Sequence, residues 1–92
     1  METLKLDYFN NLPKYYTGIV EYEDNSIVYY LNGKIHREDG PACIYSVGTT
    51  RYYINGNHIT NDVNKWLSGE TDIPPYEKWD NNTRILFKLT FG

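Results

Sequence analysis

His36, Glu38 and Asp39 fall within four consecutive positions, and they are the residues in this chain whose types and spacing come nearest to chemistry. A histidine beside two carboxylates can ligate a metal ion or shuttle a proton. A structural role is simpler: His36 pins the loop it opens, and Asp39 holds backbone amides ahead of Gly40-Pro41. His58 also follows an Asn-Gly pair, a position from which it could join His36 across a sheet, but two histidines without cysteine or ordered spacing make a weak zinc case. Cys43 lies inside an apolar run, where a small buried side chain is expected rather than a nucleophile. Ser26, Ser46 and Ser68 sit in no motif, and no glycine-rich phosphate loop precedes a helix. The expectation is therefore no catalytic group, no metal and no cofactor.

The elements that must hold these residues are easier to read. Tyr29-Tyr30-Leu31-Asn32-Gly33 returns 23 positions later as Tyr52-Tyr53-Ile54-Asn55-Gly56. Asn-Gly between apolar and aromatic runs is a strong hairpin signal, because a type I′ turn needs φ > 0 at both central residues. Laying 17–33 over 40–56 matches Tyr22 with Tyr45, Asn32 with Asn55 and Gly33 with Gly56, without gaps. Residues 17–59 thus read as two copies of one hairpin unit, with strands over 17–23, 26–31, 42–46 and 50–54. Asn32-Gly33 and Asn55-Gly56 supply the hairpin turns, and Gly40-Pro41 turns the chain between the units.

Two hairpins cannot cover their own apolar faces. A short helix over 60–69, with Thr60 or Asn61 as N-cap, Val63, Trp66 and Leu67 on one face and Gly69 ending it, is the expected cover. Pro74-Pro75 then gives an extended link, with Tyr76 and Trp79 packing in a loose turn. Ile85, Phe87, Leu89 and Phe91 alternate with Arg84, Leu86, Lys88 and Thr90, which predicts a strand over 83–91. At the N-terminus, Leu4, Leu6, Tyr8 and Phe9 fit a strand or a helical turn before Asn10-Asn11-Leu12-Pro13 interrupts. The fold class is α+β and mainly β: an antiparallel meander of five or six strands with one short C-terminal helix, in a single domain spanning 1–92.

Composition narrows the function classes. Ten tyrosines, three phenylalanines and two tryptophans supply aromatic surface, and the net charge of −3 has the wrong sign for a general nucleic-acid binder. One cysteine excludes an internal disulfide. There is no apolar stretch of bilayer length and no signal peptide at Met1–Lys5, so Asn81-Asn82-Thr83 reads as a turn rather than a glycosylated sequon. A cytoplasmic address is expected, the cell's own or an infected host's.

The string Leu31-Asn32-Gly33-Lys34-Ile35-His36-Arg37-Glu38-Asp39-Gly40-Pro41-Ala42 resembles the "NGKxHREDGPA" units of small phage proteins and some large-virus proteins, which are similar in pattern to MORN-type hairpin repeats. The second unit departs from it, reading Asn57-His58-Ile59 after its Asn-Gly pair. The resemblance implies a β-meander of viral origin that acts by contact. By strand alternation the partner-binding residues are expected among Tyr29, Tyr30, Tyr52, Tyr53, Tyr22 and Tyr45, one ring of each adjacent pair entering the core and the other joining an exposed cross-strand ladder, together with Arg37, Glu38 and Asp39. The function expected is inhibition of a host antiviral-defence protein in the host cytoplasm. Sequestration of a nucleotide or small molecule, with the rings lining a pocket at a homo-oligomer interface, is the alternative, and a virion structural or assembly role is another.

Overall fold

Each Asn-Gly pair reverses the chain in the left-handed region: Asn32 and Gly33 have φ of 51° and 80°, Asn55 and Gly56 of 49° and 80°. A computed structural model of the chain describes residues 3–6, 12–69, 73–74 and 76–92. The expectations for Tyr8, Phe9, Asn10, Asn11 and Pro75 lie outside the described residues. The architecture is mixed α+β and mainly β, with a six-stranded sheet, a separate two-stranded ribbon and two helices.

In chain order, β1 (Thr3–Leu6) lies parallel to β2 (Gly18–Tyr22), and β2 pairs antiparallel with β3 (Ile27–Leu31) in the register Val20↔Val28 and Gly18↔Tyr30. The far edge of β3 is shared by β4 (Lys34–Ile35) and β5 (Cys43–Ile44), each pairing with a different end of it. Between them Tyr29 bridges both, its N–H donating to the Ala42 carbonyl at 2.8 Å and its carbonyl accepting from the His36 N–H at 3.0 Å. β6 (Thr50–Arg51) completes the sheet on β5, and β7 (Tyr53–Ile54) pairs with β8 (Asn57–His58) in the ribbon. The order therefore departs from a plain meander at both the parallel β1 and the shared edge of β3.

The 23-residue echo extends to the hydrogen bonds. The Tyr22 N–H donates to the Ser26 carbonyl and the Tyr45 N–H to the Thr49 carbonyl, both at 2.8 Å. The Asn25 and Gly48 amides close those two turns onto the Tyr22 and Tyr45 carbonyls, both at 2.9 Å. Asn25 and Gly48 share a left-handed φ, of 70° and 92°. Equivalent sequence produces equivalent local bonds because each turn is set by residues inside its own unit.

Each Asn-Gly turn is also docked on the segment before it. The Asn32 amide donates to Thr17 Oγ1 at 2.9 Å and the Gly33 amide to the Tyr16 carbonyl at 2.9 Å. In the second unit the Asn55 amide donates to His36 Nδ1 at 2.9 Å and the Gly56 amide to the Ile35 carbonyl at 2.8 Å. A side chain at Gly33 would meet the Tyr15 backbone nitrogen at 3.2 Å, so close docking and positive φ both favour glycine there.

The helices form the cover. α1 (Thr60–Leu67) buries Val63 and packs Trp66 and Leu67 on the same core, as the spacing predicts. Its ends differ from expectation. Ile59 stands at the N-cap without a side-chain bond, because the Thr60 hydroxyl is taken by the Tyr52 amide at 3.0 Å. Ser68 caps the C-terminus at φ −93°, and Gly69 after it does not take a positive φ, so it is not a left-handed stop. A 3-10 turn over Tyr76–Lys78 follows.

The expected C-terminal strand over 83–91 is instead α2 (Asn81–Phe91). Asp80 is its N-cap: its Oδ1 accepts from the Thr83 N–H and the Thr83 hydroxyl, both at 2.8 Å. Phe87 and Phe91, four apart, face the core, while Ile85, Leu86 and Leu89 face outward. The period-2 pattern was real in the letters, but helical geometry divides those residues between opposite faces.

Tyr52, Val63, Trp79 and Phe87 form the buried centre of this half. Trp79 Nε1 is satisfied by the Pro74 carbonyl at 2.8 Å. Tyr52 is 3% exposed and stacks on Trp79 with centroids 6.3 Å apart, so it belongs to the core and not to an exposed ladder. Burial, followed by the nearby Glu77 charge, pushes its hydroxyl up from 10.0 to about 12. A raised folded value means the neutral phenol's contribution is complete below pH 10 and lost as pH rises toward 12. Alkaline melting between those limits is therefore expected to be blunted in Tyr52→Phe, read as melting temperature against pH.

Candidate functional site

β2, β3 and the loop after β4 enclose a cleft of about 520 Å³ lined by Ile19, Tyr29, Tyr30, Leu31, His36, Arg37, Glu38 and Asp39. The β2–β3 register sets Ile19 opposite Tyr29, so both project from one sheet face. Leu31, two residues along, continues that face as an apolar floor. The charged loop 36–39 forms the wall.

Arg37 is the hub of that wall. Its guanidinium lies 4.1 Å from the Tyr29 ring centroid and 5.1 Å from that of Tyr76. Its Nε donates to Asp39 Oδ1 at 2.7 Å and its Nη1 to the Pro41 carbonyl at 3.2 Å. The side chain is only 10% exposed. Burial opposes its charge, yet the Asp39 bond and the two facing rings outweigh that and shift Arg37 upward. It is a permanently charged strut between sheet and 3-10 turn. Gly40 is tight for the same reason, since a Cβ there would sit 2.3 Å from Tyr76 Cε1 and 3.1 Å from Arg37 Cζ.

His36 has both ring nitrogens committed. Nδ1 accepts from the Asn55 amide, so the ring proton sits on Nε2 and is donated to Glu38 Oε1 at 3.2 Å. Glu38 Oε2 in turn reaches Lys88 Nζ at 3.3 Å, which ties the loop to α2. Partial burial works against the carboxylate, but the Lys88 and His36 bonds prevail and hold Glu38 below its ordinary range. Asp39 bonds Arg37 and not the backbone amides that the Gly40-Pro41 context suggested.

The expected tyrosine set divides in three. Tyr29 and Tyr30 border the cleft, though the Tyr30 ring projects from the opposite sheet face; Tyr52 is core, and Tyr22, Tyr45 and Tyr53 lie elsewhere. Tyr22 and Tyr30 share the sheet face of Val20, Val28 and Cys43, their hydroxyls 3.3 Å apart. Burial, then the bond to Tyr22, moves the Tyr30 hydroxyl well above its ordinary value. Tyr45 lies under Arg51 at 5.7 Å, and Tyr53 stacks on His58 at 4.9 Å. The rings thus engage nearby partners, Arg51 and His58 among them, rather than forming one exposed ladder. His58 Nε2 faces the Thr60 hydroxyl at 2.6 Å, away from the His36 bond to Asn55. Cys43 is a buried free thiol, and burial pushes it upward.

No protein family, curated protein or solved structure matches this chain. Geometry therefore carries the functional argument. Among the described residues no three His, Cys, Asp or Glu side chains come together as a metal-holding group, and no helix is long and apolar enough to cross a membrane. Sequence reasoning placed Arg37, Glu38 and Asp39 in the site but missed Ile19, Leu31, Tyr76 and Lys88. Ile19 was visible as a cross-strand partner of Tyr29 once the register was drawn. Tyr76 and Lys88 join through tertiary contacts that no local pattern announces.

Proposed function

We propose that this chain is a small phage-type binding protein that inhibits a host antiviral-defence protein by covering part of its surface. The observation that carries the reading is the preformed cleft, with an apolar floor of Ile19, Tyr29 and Leu31 and a wall of charges already tied to one another. Such a wall needs no reordering when a partner side chain enters, and that lowers the entropic cost of association.

The same pairing favours contact over catalysis. A general base needs an uncommitted lone pair within reach of substrate, and His36 Nδ1 is occupied by a backbone amide. The two units, with their matched turns and matched hydrogen bonds, are read as MORN-like hairpins closed by α1. The resemblance of residues 31–42 to phage repeats supports a viral origin and action in a host cytoplasm. Nucleotide sequestration fits less well, since the Tyr29 ring that would stack a base carries the Arg37 guanidinium.

Leu31, 37% exposed at the cleft floor, gives a test that spares the core. Tagged wild-type chain is expected to retain a host protein from bacterial lysate and to inhibit that protein when added back pure. Leu31→Asp is expected to lose at least about tenfold of that retention, because a charge would face the apolar contact. Val47→Asp, at a residue 85% exposed and outside the cleft, should retain it. Equal capture by Leu31→Asp, or no inhibition on add-back, overturns the reading.

A further inference from the structure

α2 turns Ile85, Leu86 and Leu89 away from the core, and they are 56%, 46% and 79% exposed. Residues 85 and 89 stand one turn apart on the helix and 86 lies beside them, so the three form one patch and not scattered singletons. We propose that this patch is the seat of a second copy of the chain, packed about a two-fold axis with α2 antiparallel to α2.

The argument for a copy is the charge along one flank. Beside Ile85 a small cleft of about 270 Å³ is lined by Glu38, Asp39, Arg84 and Lys88. In a two-fold antiparallel helix pair, the same flank of each helix meets its own copy. A flank of one sign would repel itself, whereas this one carries two cations and two anions. Lys88 and Asp39 side chains are 64% and 55% exposed, which leaves both free to reach across as well as inward. At the C-terminal end of the patch the Thr90 hydroxyl is quieted, since it donates to the Leu86 carbonyl at 2.7 Å. A foreign partner would call for complementarity to itself, not for this internal balance.

The stripe is short. Three apolar side chains per copy fall below the roughly 800 Å² per partner of a standard stable interface, so the dimer is weak and concentration-dependent. It does not rest on the host-partner reading, although Glu38 and Asp39 line both this flank and the cleft wall.

Sedimentation equilibrium over a concentration series tests it. Wild-type mass is expected to rise from one chain toward two, Leu89→Asp to stay at one, and Val47→Asp to follow the wild type. Lys88→Glu and Glu38→Lys are each expected to weaken association about tenfold, because each makes the flank unbalanced. Their equimolar mixture should recover wild-type association as a heterodimer, an outcome that a contact made only within one chain would not produce. Wild type that stays monomeric throughout, Leu89→Asp that dimerises as the wild type does, or a mixture that fails to recover overturns the proposal. Circular dichroism of each variant separates lost association from lost fold.

Discussion

Phe87→Ala is expected to be the most damaging single truncation in the chain, costing about 3–5 kcal/mol. Phe87 is fully buried, and its ring centroid lies 5.0 Å from Phe91, 5.4 Å from Trp79, 5.7 Å from Tyr52 and 5.8 Å from Trp66. Removing it leaves a void among four aromatic rings that cannot close without tilting several of them at once. In a domain of this size each kcal/mol shifts the melting temperature by about 4–8 °C, so a fall of roughly 12–40 °C or outright unfolding is expected. Leu89→Ala, two residues on and 79% exposed, should stay within about 0.5 kcal/mol of wild type. That contrast separates helix from strand. A strand would send 87 and 89 to the same face and make the two variants alike; paired thermal melts with equal losses would count against α2.

Arg37→Ala is expected to cost about 3 kcal/mol and to open the cleft. The guanidinium lies between the Tyr29 and Tyr76 rings and donates to both Asp39 and the Pro41 carbonyl. Its loss leaves the Pro41 carbonyl without that donor and separates two aromatic surfaces that it now joins, and unmet buried polar groups cost about 1–3 kcal/mol each. Arg37→Lys should recover only part, because an ammonium keeps the charge but not the planar fork or the stacking. Gly40→Ala should act on the same spot from the other side, driving a methyl group into Tyr76. Denaturant unfolding of the three variants checks the order: alanine at 37 worst, lysine intermediate. Equal stability of Arg37→Ala and wild type would show that the wall is decoration.

What could be read from the letters followed how local each determinant was. The Asn-Gly turns were legible because φ > 0 is demanded within two residues. The helix over 60–67 was legible from Val63, Trp66 and Leu67. Its caps were not, since Thr60 is drawn off by a Tyr52 amide eight positions back. The segment 81–91 was misread because alternation and helical spacing coexist in it: Ile85, Phe87, Leu89 and Phe91 satisfy period 2, while Phe87 and Phe91 satisfy i, i+4. The deciding signal was Asp80 three residues before Thr83, an N-cap pattern overlapping the Asn81-Asn82-Thr83 stretch that reads as a turn. The parallel seat of β1 on β2, and the reach of Arg37 to Tyr76, are long-range and carry no sequence mark. In the candidate site, the charged loop announced itself by motif, whereas its apolar floor emerged only from register.

In the first unit the Tyr29 amide is received by the main-chain oxygen of Ala42, just before β5; in the second, the Tyr52 amide meets the Thr60 hydroxyl. That hydroxyl impersonates the missing third copy. Lengthening this protein by tandem duplication would therefore demand that α1 be lifted and its threonine evicted.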